Sequence, residues 1–293
     1  MNEACVSTTT RSSGSATPSD ASTSGEGVTI VLNSLSRLCE KTHELTEELR
    51  LARRLQMDFL PKRLPEMPGA AFAAHLEPAS WVAGDFYDIF RLDEQHIGFY
   101  VADAIGHGIA SALLTVFVKK SLQTKRIEGR RYQLIPPDEA MALLNADLIS
   151  AELQESPFIT MAYAVYNTAT RECVYSLAGH PLPLLMDRTG RLQPVDGGGP
   201  LLGIFADAEF TASRRVLEPG ERLLIYSDGA ERIDPGARQN TARFLDLVRA
   251  GAKAPADVMI ASLLDAVRVA APKDEDLVDD VTFVALDLEP KAL

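Results

Sequence analysis

The chain has 293 residues, of which 46% are hydrophobic and 24% charged, and this length allows one sizeable globular core or two small domains. Its formal net charge is −12 and its pI is near 4.9, so it lacks the basic character that attracts nucleic acid or anionic lipid headgroups. We therefore expect neither nucleic acid nor a membrane as a partner.

Cysteine usage and apolar runs indicate the compartment. Cys5, Cys39 and Cys173 include no close pair and no His at zinc spacing, so neither a disulfide framework nor a zinc site is expected. The longest apolar run, residues 110–118, is far shorter than the roughly 20 residues that span a bilayer. Residues 1–27 lack the apolar stretch of a secretory signal. These features predict a cytoplasmic protein.

Two segments precede the main domain. Residues 1–27 are rich in Ser, Thr and Gly and bury too little surface to offset their ordering entropy, which predicts a disordered leader. Residues 28–60 predict a helical linker, because apolar side chains follow a 3,4 spacing that only Thr42 and Gln56 interrupt. This stripe either packs on its own domain or pairs with a second copy in a homodimer. The apolar positions are Val31, Leu35, Leu38, Leu45, Leu49, Ala52 and Phe59.

Residues 69–290 are predicted to form the main domain, in which strands and helices are segregated. The predicted strands are Ala71–Glu77, Asp85–Leu92, His96–Asp103, Ile159–Tyr166, Glu172–Leu177, Pro183–Asp187, Phe210–Val216, Arg222–Ser227 and Asp280–Leu288. The predicted helices are His107–Arg126, Pro137–Leu153, Ala237–Ala250 and Pro255–Ala270. Short turns between strands indicate hairpins and antiparallel sheet. The domain is therefore expected to be α+β.

Aspartates stand at the ends of several predicted strands. Asp85 opens one strand and Asp103 closes the next, and each lies nine residues from Glu94 at the centre of the turn. In an antiparallel pair, equal distances from the turn place both carboxylates at the same end of the sheet. The apolar residues before Asp103 indicate a buried, rigid strand, which a metal ligand requires.

A second pair of strands repeats this arrangement. Asp228 ends one apolar strand and Asp279 and Asp280 open another, so antiparallel pairing would bring these carboxylates to a shared end. One such Asp alone is more often a turn or capping residue, but four strand ends with Asp favour a metal site. Oxygen ligands without His or Cys select Mg²⁺, Mn²⁺ or Ca²⁺ over zinc. Two ions about 3.5–4 Å apart would activate a water for in-line displacement at phosphorus.

The turn Gly106-His107-Gly108 follows Asp103 and opens a predicted helix, whose N-terminal N–H groups can hold an anion. Such a turn often only starts a helix. His107 is nevertheless a candidate for catalytic proton transfer.

Five short runs in chain order carry a resemblance to a known family. They are Gly84-Asp85-Phe86-Tyr87-Asp88, Ala102-Asp103-Ala104-Ile105-Gly106-His107-Gly108, Ala178-Gly179-His180-Pro181, Tyr226-Ser227-Asp228-Gly229 and Asp279-Asp280-Val281-Thr282. They resemble the motifs of bacterial PP2C-like serine/threonine phosphatases of the SpoIIE and RsbU type. The similarity extends over about residues 50–288.

The resemblance implies a four-layer α-β-β-α sandwich of two antiparallel sheets, with two Mn²⁺ or Mg²⁺ ions in a cleft at one edge. It assigns metal-ligand positions to Asp85, Asp103, the backbone carbonyl of Ala104, Asp228 and Asp279. Asp280 stands where many relatives of the wider superfamily have Asn, so it ranks below Asp279 as a ligand. The Arg that contacts the substrate phosphate in the eukaryotic branch has no clear counterpart.

The resemblance also implies an activity and a partner. Such enzymes typically remove phosphate from phosphoserine or phosphothreonine of a STAS-domain anti-sigma-factor antagonist in a partner-switching circuit. Two alternatives remain open. One is a regulatory binding module of such a circuit without turnover, and the other is metal-dependent hydrolysis of phosphodiesters or small phosphomonoesters.

Overall fold

A computed structural model describes residues 21–106, 108–154, 157–187, 189–232, 241–270, 277 and 279–289. Along the chain the elements are α1 (Ala21–Phe59), β1 (Ala70–Glu77), β2 (Asp85–Arg91), β3 (His96–Ala104), α2 (Ile109–Ser121), β4 (Lys125–Glu128), β5 (Arg131–Leu134), α3 (Pro137–Ser150), β6 (Ile159–Asn167), β7 (Glu172–Ala178), β8 (Leu184–Met186), β9 (Leu192–Pro194), β10 (Ala212–Val216), β11 (Arg222–Tyr226), α4 (Thr241–Ala250), α5 (Ala256–Ala270) and β12 (Val281–Leu288). No helix in the described part of the chain is long and apolar enough to cross a membrane.

The chain divides into two compact units, one ending at Glu48 and the other beginning at Leu49. Helix α1 includes residues 21–27, where the sequence predicts part of the leader, while residues 1–20 lie outside the described residues. In the second unit, the end of α1 is anchored by Gln56, which is buried. Its Nε2 donates to the carbonyl of Ala83 at 2.7 Å, and the Ala83 N–H donates back to its Oε1 at 2.9 Å. Gln56, the polar residue that interrupts the apolar stripe, therefore anchors the last turns of α1 within the second unit.

Two five-stranded antiparallel sheets form the centre of the second unit. Sheet A has the order β1-β12-β11-β8-β9, and sheet B has the order β10-β7-β6-β3-β2. Strand alternation distributes the apolar side chains of each sheet over two faces. On β3, for example, Phe99 and Val101 contribute to one core and Tyr100 and Ala102 to another.

Three apolar cores hold these layers together. The central core joins facing sides of the sheets, with Val101 of β3 and Val284 of β12 among its members. The outer face of sheet B packs on α2 and α3, and the outer face of sheet A packs on α4 and α5. This α-β-β-α layering confirms the predicted α+β class and four-layer sandwich.

One local prediction was wrong, and one short strand was not predicted. The helix expected over His107–Arg126 ends at Ser121, and residues 125–134 form the hairpin β4–β5 instead, with Gly129 at φ +63° in its two-residue loop. Left-handed backbone at that position suits a tight hairpin and opposes a continuing helix. Strand β9 was not predicted, because three residues are too few to show alternation.

Candidate active site

Strands β2 and β3 bring the first two predicted site residues together. Asp85 and Asp103 are register partners in this antiparallel pair, so the prediction from equal hairpin arms is confirmed. Val101 lies two residues before Asp103 and Tyr87 two after Asp85, and both belong to the central core. Because side chains alternate along a strand, both aspartates project from this same face. They therefore lie at one end of the cleft between the sheets.

Strands β11 and β12 supply the second group. They pair antiparallel up to Tyr226 and Phe283, with Asp228 just after β11 and Asp279 and Asp280 just before β12. A Cβ at Gly229 would lie only 2.0 Å from the Asp280 carbonyl oxygen. Because every other residue type has a Cβ, only glycine fits at this position. Gly229 thus allows the turn after Asp228 to lie directly against the segment that opens β12.

Hydrogen bonds join the two groups. Thr282, fully buried on β12, donates its hydroxyl to Asp85 Oδ2 at 2.6 Å. The Asp280 carboxylate accepts the backbone N–H of Ala79 at 2.7 Å and that of Gly84 at 2.5 Å. Bonds from backbone amides to a carboxylate are charge-assisted and strong. Asp280 is therefore placed to fix the chain in front of β2, and this geometry favours an organising role over a ligand role.

Asp103 lies near other carboxylates, which carry the same charge. Burial, followed by the neighbouring carboxylates of Asp228, Asp279 and Asp280, raises its pKa to about 7. Such a shift requires these carboxylates to be close enough to interact through a poorly screened interior. Without a counter-ion, the cluster holds protons that isolated aspartates would release.

Asp85 and Asp279 show the same effect. Burial and the charge of Asp103 raise the pKa of Asp85 well above its usual range, although hydrogen bonds from Ser227 and Thr282 oppose the shift. Burial also raises the pKa of Asp279, against the opposing charge of Arg232. The predicted site aspartates therefore form one electrostatically coupled cluster, the acidic cluster, composed of Asp85, Asp103, Asp228, Asp279 and Asp280.

The remaining two predicted site residues differ in how they are placed. The carbonyl oxygen of Ala104 lies at the same strand end, and a Cβ at Gly84 would come within 2.9 Å of it. The glycine thus keeps space beside that carbonyl. His107 lies outside the described residues.

His180 has a structural environment that sequence reasoning did not reveal. It is buried, and its Nδ1 lies 3.0 Å from the hydroxyl of Thr160, which is the register partner of Asp103 on β6. Burial lowers the pKa of His180 to about 3, so the ring is neutral near pH 7. It can orient Thr160 behind the site but holds no extra proton to donate.

Arg232 also lies at the site, although no pattern in the sequence distinguishes it. Its Nη2 lies 2.7 Å from Asp279 Oδ2, and its charge also reaches Asp103. A lone Arg after a turn has no periodicity or motif to distinguish it. In the fold, its guanidinium provides positive charge beside the acidic cluster.

Replacing Arg232 with alanine is expected to strengthen Mn²⁺ binding about threefold to fivefold, because a partly exposed ion pair at Asp279 no longer competes with the ion. Isothermal titration calorimetry measures this affinity. Arg249→Ala, which removes an exposed Arg–Asp pair on α4, is the matched control. A raised KM for a phosphorylated substrate with unchanged Mn²⁺ affinity would instead assign Arg232 to the substrate phosphate.

The donor chemistry of the acidic cluster suits hard divalent cations. Every side-chain donor is a carboxylate oxygen, which favours Mg²⁺ or Mn²⁺ over zinc. Across the described residues, no group of three or more acidic, His or Cys side chains is already arranged around an ion position. Asp279 faces Arg232 and Asp85 faces Thr282 in this arrangement. The residues present fit such ions in type and in mutual proximity.

Comparisons with known proteins agree with this geometry. Phosphoserine phosphatase RsbP of Bacillus subtilis (strain 168) is 30% identical over 193 residues, which cover 65% of this chain and 46% of RsbP. The SiaA-PP2C domain of Pseudomonas aeruginosa superposes with a TM-score of 0.71 at 19% identity, covering 85% of this chain and 99% of that domain. RsbX, solved in complex with magnesium, gives a TM-score of 0.54 at 14% identity, covering 78% and 99%.

The chain spans about half the length, or less, of the curated relatives that it matches, RsbP among them. The two solved structures share its fold. The family model described as stage II sporulation protein E (SpoIIE) matches residues 93–289, well over half of the chain, from the β2–β3 turn to the end of β12. The chain therefore belongs to the SpoIIE family.

Proposed function

We propose that this chain is a Mn²⁺- or Mg²⁺-dependent protein phosphatase that removes phosphate from phosphoserine or phosphothreonine of a partner protein. The observation that carries the proposal is the acidic cluster, in which carboxylates from both sheets interact at one end of the cleft between them. Membership of the SpoIIE family and the named phosphoserine phosphatase among its relatives support the same activity.

In this proposal, five groups of the chain hold two ions. The five groups are Asp85, Asp103, the carbonyl of Ala104, Asp228 and Asp279. Asp280 is a sixth candidate ligand and ranks below them. Bound ions would supply positive charge that neutralises phosphoryl oxygens and makes an attacking water more acidic.

The protein's own groups organise the reaction around that charge. Thr282 orients Asp85 through its hydroxyl, and Asp280 fixes the backbone before β2 through amide bonds. Thr160, which His180 contacts, lies beside Asp103 on the neighbouring strand. These contacts limit the rotation of Asp85 and hold the backbone before β2, which reduces the rearrangement that ion binding would require. His107 remains a candidate proton donor to the leaving serine oxygen.

The substrate in this proposal is a small phosphorylated protein of the STAS type within a partner-switching circuit. A cytoplasmic location is part of the same proposal and rests on the cysteine usage of the sequence. Phosphate release measures the activity directly, with a phosphoserine STAS protein, a cyclic nucleotide and a sugar phosphate as parallel substrates. Metal-dependent release from the phosphoprotein alone supports the proposal. Preference for either small substrate favours the other hydrolase class, and metal-independent binding without release favours a regulatory binding module.

We further propose that residues 28–60 form a homodimer. The apolar side chains of α1 in the first unit are more than half exposed among the described residues, including Leu35, Leu38 and Leu45. An exposed apolar stripe at heptad spacing is buried most simply by a second copy of the same helix.

We expect the full chain to be dimeric and a shortened chain that begins at Leu49 to be monomeric in light scattering after size exclusion. Leu49 is the better start than Gly69, because Gln56, Met57 and Leu60 belong to the packing of the second unit. Leu38→Lys in the full chain should also give monomers, while exposed Lys41→Ala should not. Equal masses for the full and shortened chains would contradict the dimer.

A further inference from the structure

The hairpin β4–β5, which the sequence did not predict, has an unusual surface. We call residues 125–134 the basic ribbon. Every residue of its strands is exposed except Leu134, which is half-buried. It carries four basic residues and one acidic residue in a chain with a net charge of −12. Positive charge is therefore concentrated on one small, projecting element.

Among the described residues, most of this positive charge has no carboxylate partner. Arg126 forms an ion pair with Glu139 at the start of α3. Within the described residues, no carboxylate lies at ion-pair distance from Lys125, Arg130 or Arg131. Gly129, at φ +63°, closes the two-residue loop and places Arg130 at the tip. Three cations are thus displayed on a defined hairpin.

The basic ribbon also exposes apolar surface. Ile127 and Tyr132 are cross-strand partners, 76% and 49% exposed, and therefore share one face. Lys125 lies over the Tyr132 ring at 5.0 Å. An apolar centre with an aromatic side chain and a rim containing Arg is typical of protein–protein hot spots. A solvated charge run alone would give no reason for Ile127 to be exposed.

The basic ribbon is remote from the acidic cluster. The Tyr132 hydroxyl donates to Asp93 Oδ2 at 3.3 Å, in the turn that joins β2 and β3. Asp103 lies at the opposite end of β3, seven residues beyond His96, which corresponds to about 23 Å along the strand. A small phosphate ester can reach only one of these places. A folded protein can contact both.

We propose that the basic ribbon docks an acidic face of the phosphoprotein substrate, an inference that rests on the proposed phosphatase function. Its few cations and small area suit a weak, transient contact of the kind an enzyme makes with a protein substrate. Steering by complementary charge speeds encounter without requiring high affinity. Nucleic acid is a poorer match, because the acidic chain as a whole repels a phosphate backbone.

The test compares two substrates of the full 293-residue chain in the presence of Mn²⁺. Phosphorylated casein is an acidic phosphoprotein, and p-nitrophenyl phosphate is too small to reach the basic ribbon. For Arg130→Glu with Arg131→Glu, we expect KM for phosphocasein to rise at least about tenfold in 50 mM salt, and less in 300 mM salt. For p-nitrophenyl phosphate, kcat and KM of this variant should both stay within about twofold of the values for the unaltered protein. Ile127→Ala should also raise KM for phosphocasein.

The matched control is Arg214→Glu with Lys253→Glu, an equal change of charge at exposed positions of β10 and the α4–α5 connection. It should leave KM for casein unchanged. An equal rise in both double variants would show a general charge effect and overturn the docking site. An unchanged KM in the ribbon variant would also overturn it.

A binding measurement keeps docking separate from catalysis. Fluorescein-labelled poly-L-glutamate should bind the unaltered protein, and binding should be lost in the ribbon variant. If the unaltered protein releases phosphate from neither phosphocasein nor p-nitrophenyl phosphate, the proposed function fails, and this binding result alone decides the docking inference. Tighter, ribbon-dependent binding to a 20-base-pair DNA duplex or to phosphatidylserine vesicles would overturn it. Self-association lost in the ribbon variant would identify a second copy as the occupant instead.

Discussion

Asp103→Asn is expected to lower phosphate release by about 10³-fold or more while making the metal-free protein more stable. Asparagine keeps the shape of the side chain but removes the charge that would bind the ions. The same charge is unfavourable without them, since burial and the carboxylates of Asp228, Asp279 and Asp280 raise the pKa of Asp103 to about 7. Removing it should therefore raise the free energy of unfolding by on the order of 2 kcal/mol in EDTA at pH 8.

Activity with Mn²⁺ and melting temperature in EDTA are the two measurements. Asp265→Asn, an exposed position on α5 outside the acidic cluster, is the control and should change neither. A structural role for Asp103 predicts lost activity together with lower stability, so the opposite directions separate the two roles. Undiminished turnover in Asp103→Asn would refute the proposed metal mechanism.

Removal of divalent ions should lower the stability of the folded protein, and the size of this loss should depend on pH. Between about pH 4, where an aspartate titrates in the unfolded chain, and about pH 7, the folded protein holds more protons than the unfolded one. The metal-free protein should therefore lose stability as pH rises through this window. Bound Mn²⁺ favours the ionised carboxylates and should remove that loss, so its stabilising effect should be greatest above pH 7.

Melting temperatures at pH 5, 6, 7 and 8, with EDTA or with Mn²⁺, measure this effect. Phosphate release should be absent with EDTA and return when Mn²⁺ is added in excess. In Asp103→Asn the pH dependence in EDTA should be shallower, because one of the shifted carboxyls is missing. Metal-free stability that rises between pH 5 and 8 would show that the acidic cluster does not carry repulsive charge.

The pairing of Asp85 with Asp103 could be predicted because a hairpin is a local structure. Equal arms about Glu94 determine the register, and the register determines which end of the sheet holds the two carboxylates. The approach of Asp228 to Asp279 was predicted only on the condition that their strands pair antiparallel. That condition depends on contacts between β11 and β12, which are far apart in sequence.

The role of Asp280 could not be predicted from neighbouring residues in the sequence. Its carboxylate accepts amides of Ala79 and Gly84, about 200 positions away, so no spacing in the sequence reports this contact. Arg232 is a similar case, since its ion pair with Asp279 forms only after the turn following β11 lies against the segment before β12.

Sequence alone determined the α+β class, the β2–β3 register and the identity of the acidic residues, because strand alternation and hairpin symmetry are short-range properties. Tertiary structure decided the rest. The stacking of two sheets brings carboxylates from separate hairpins into one poorly solvated cleft, and their mutual repulsion arises only there. The basic ribbon likewise could not be predicted from the sequence, because α2 ends at Ser121 and the residues expected to continue it form an exposed hairpin.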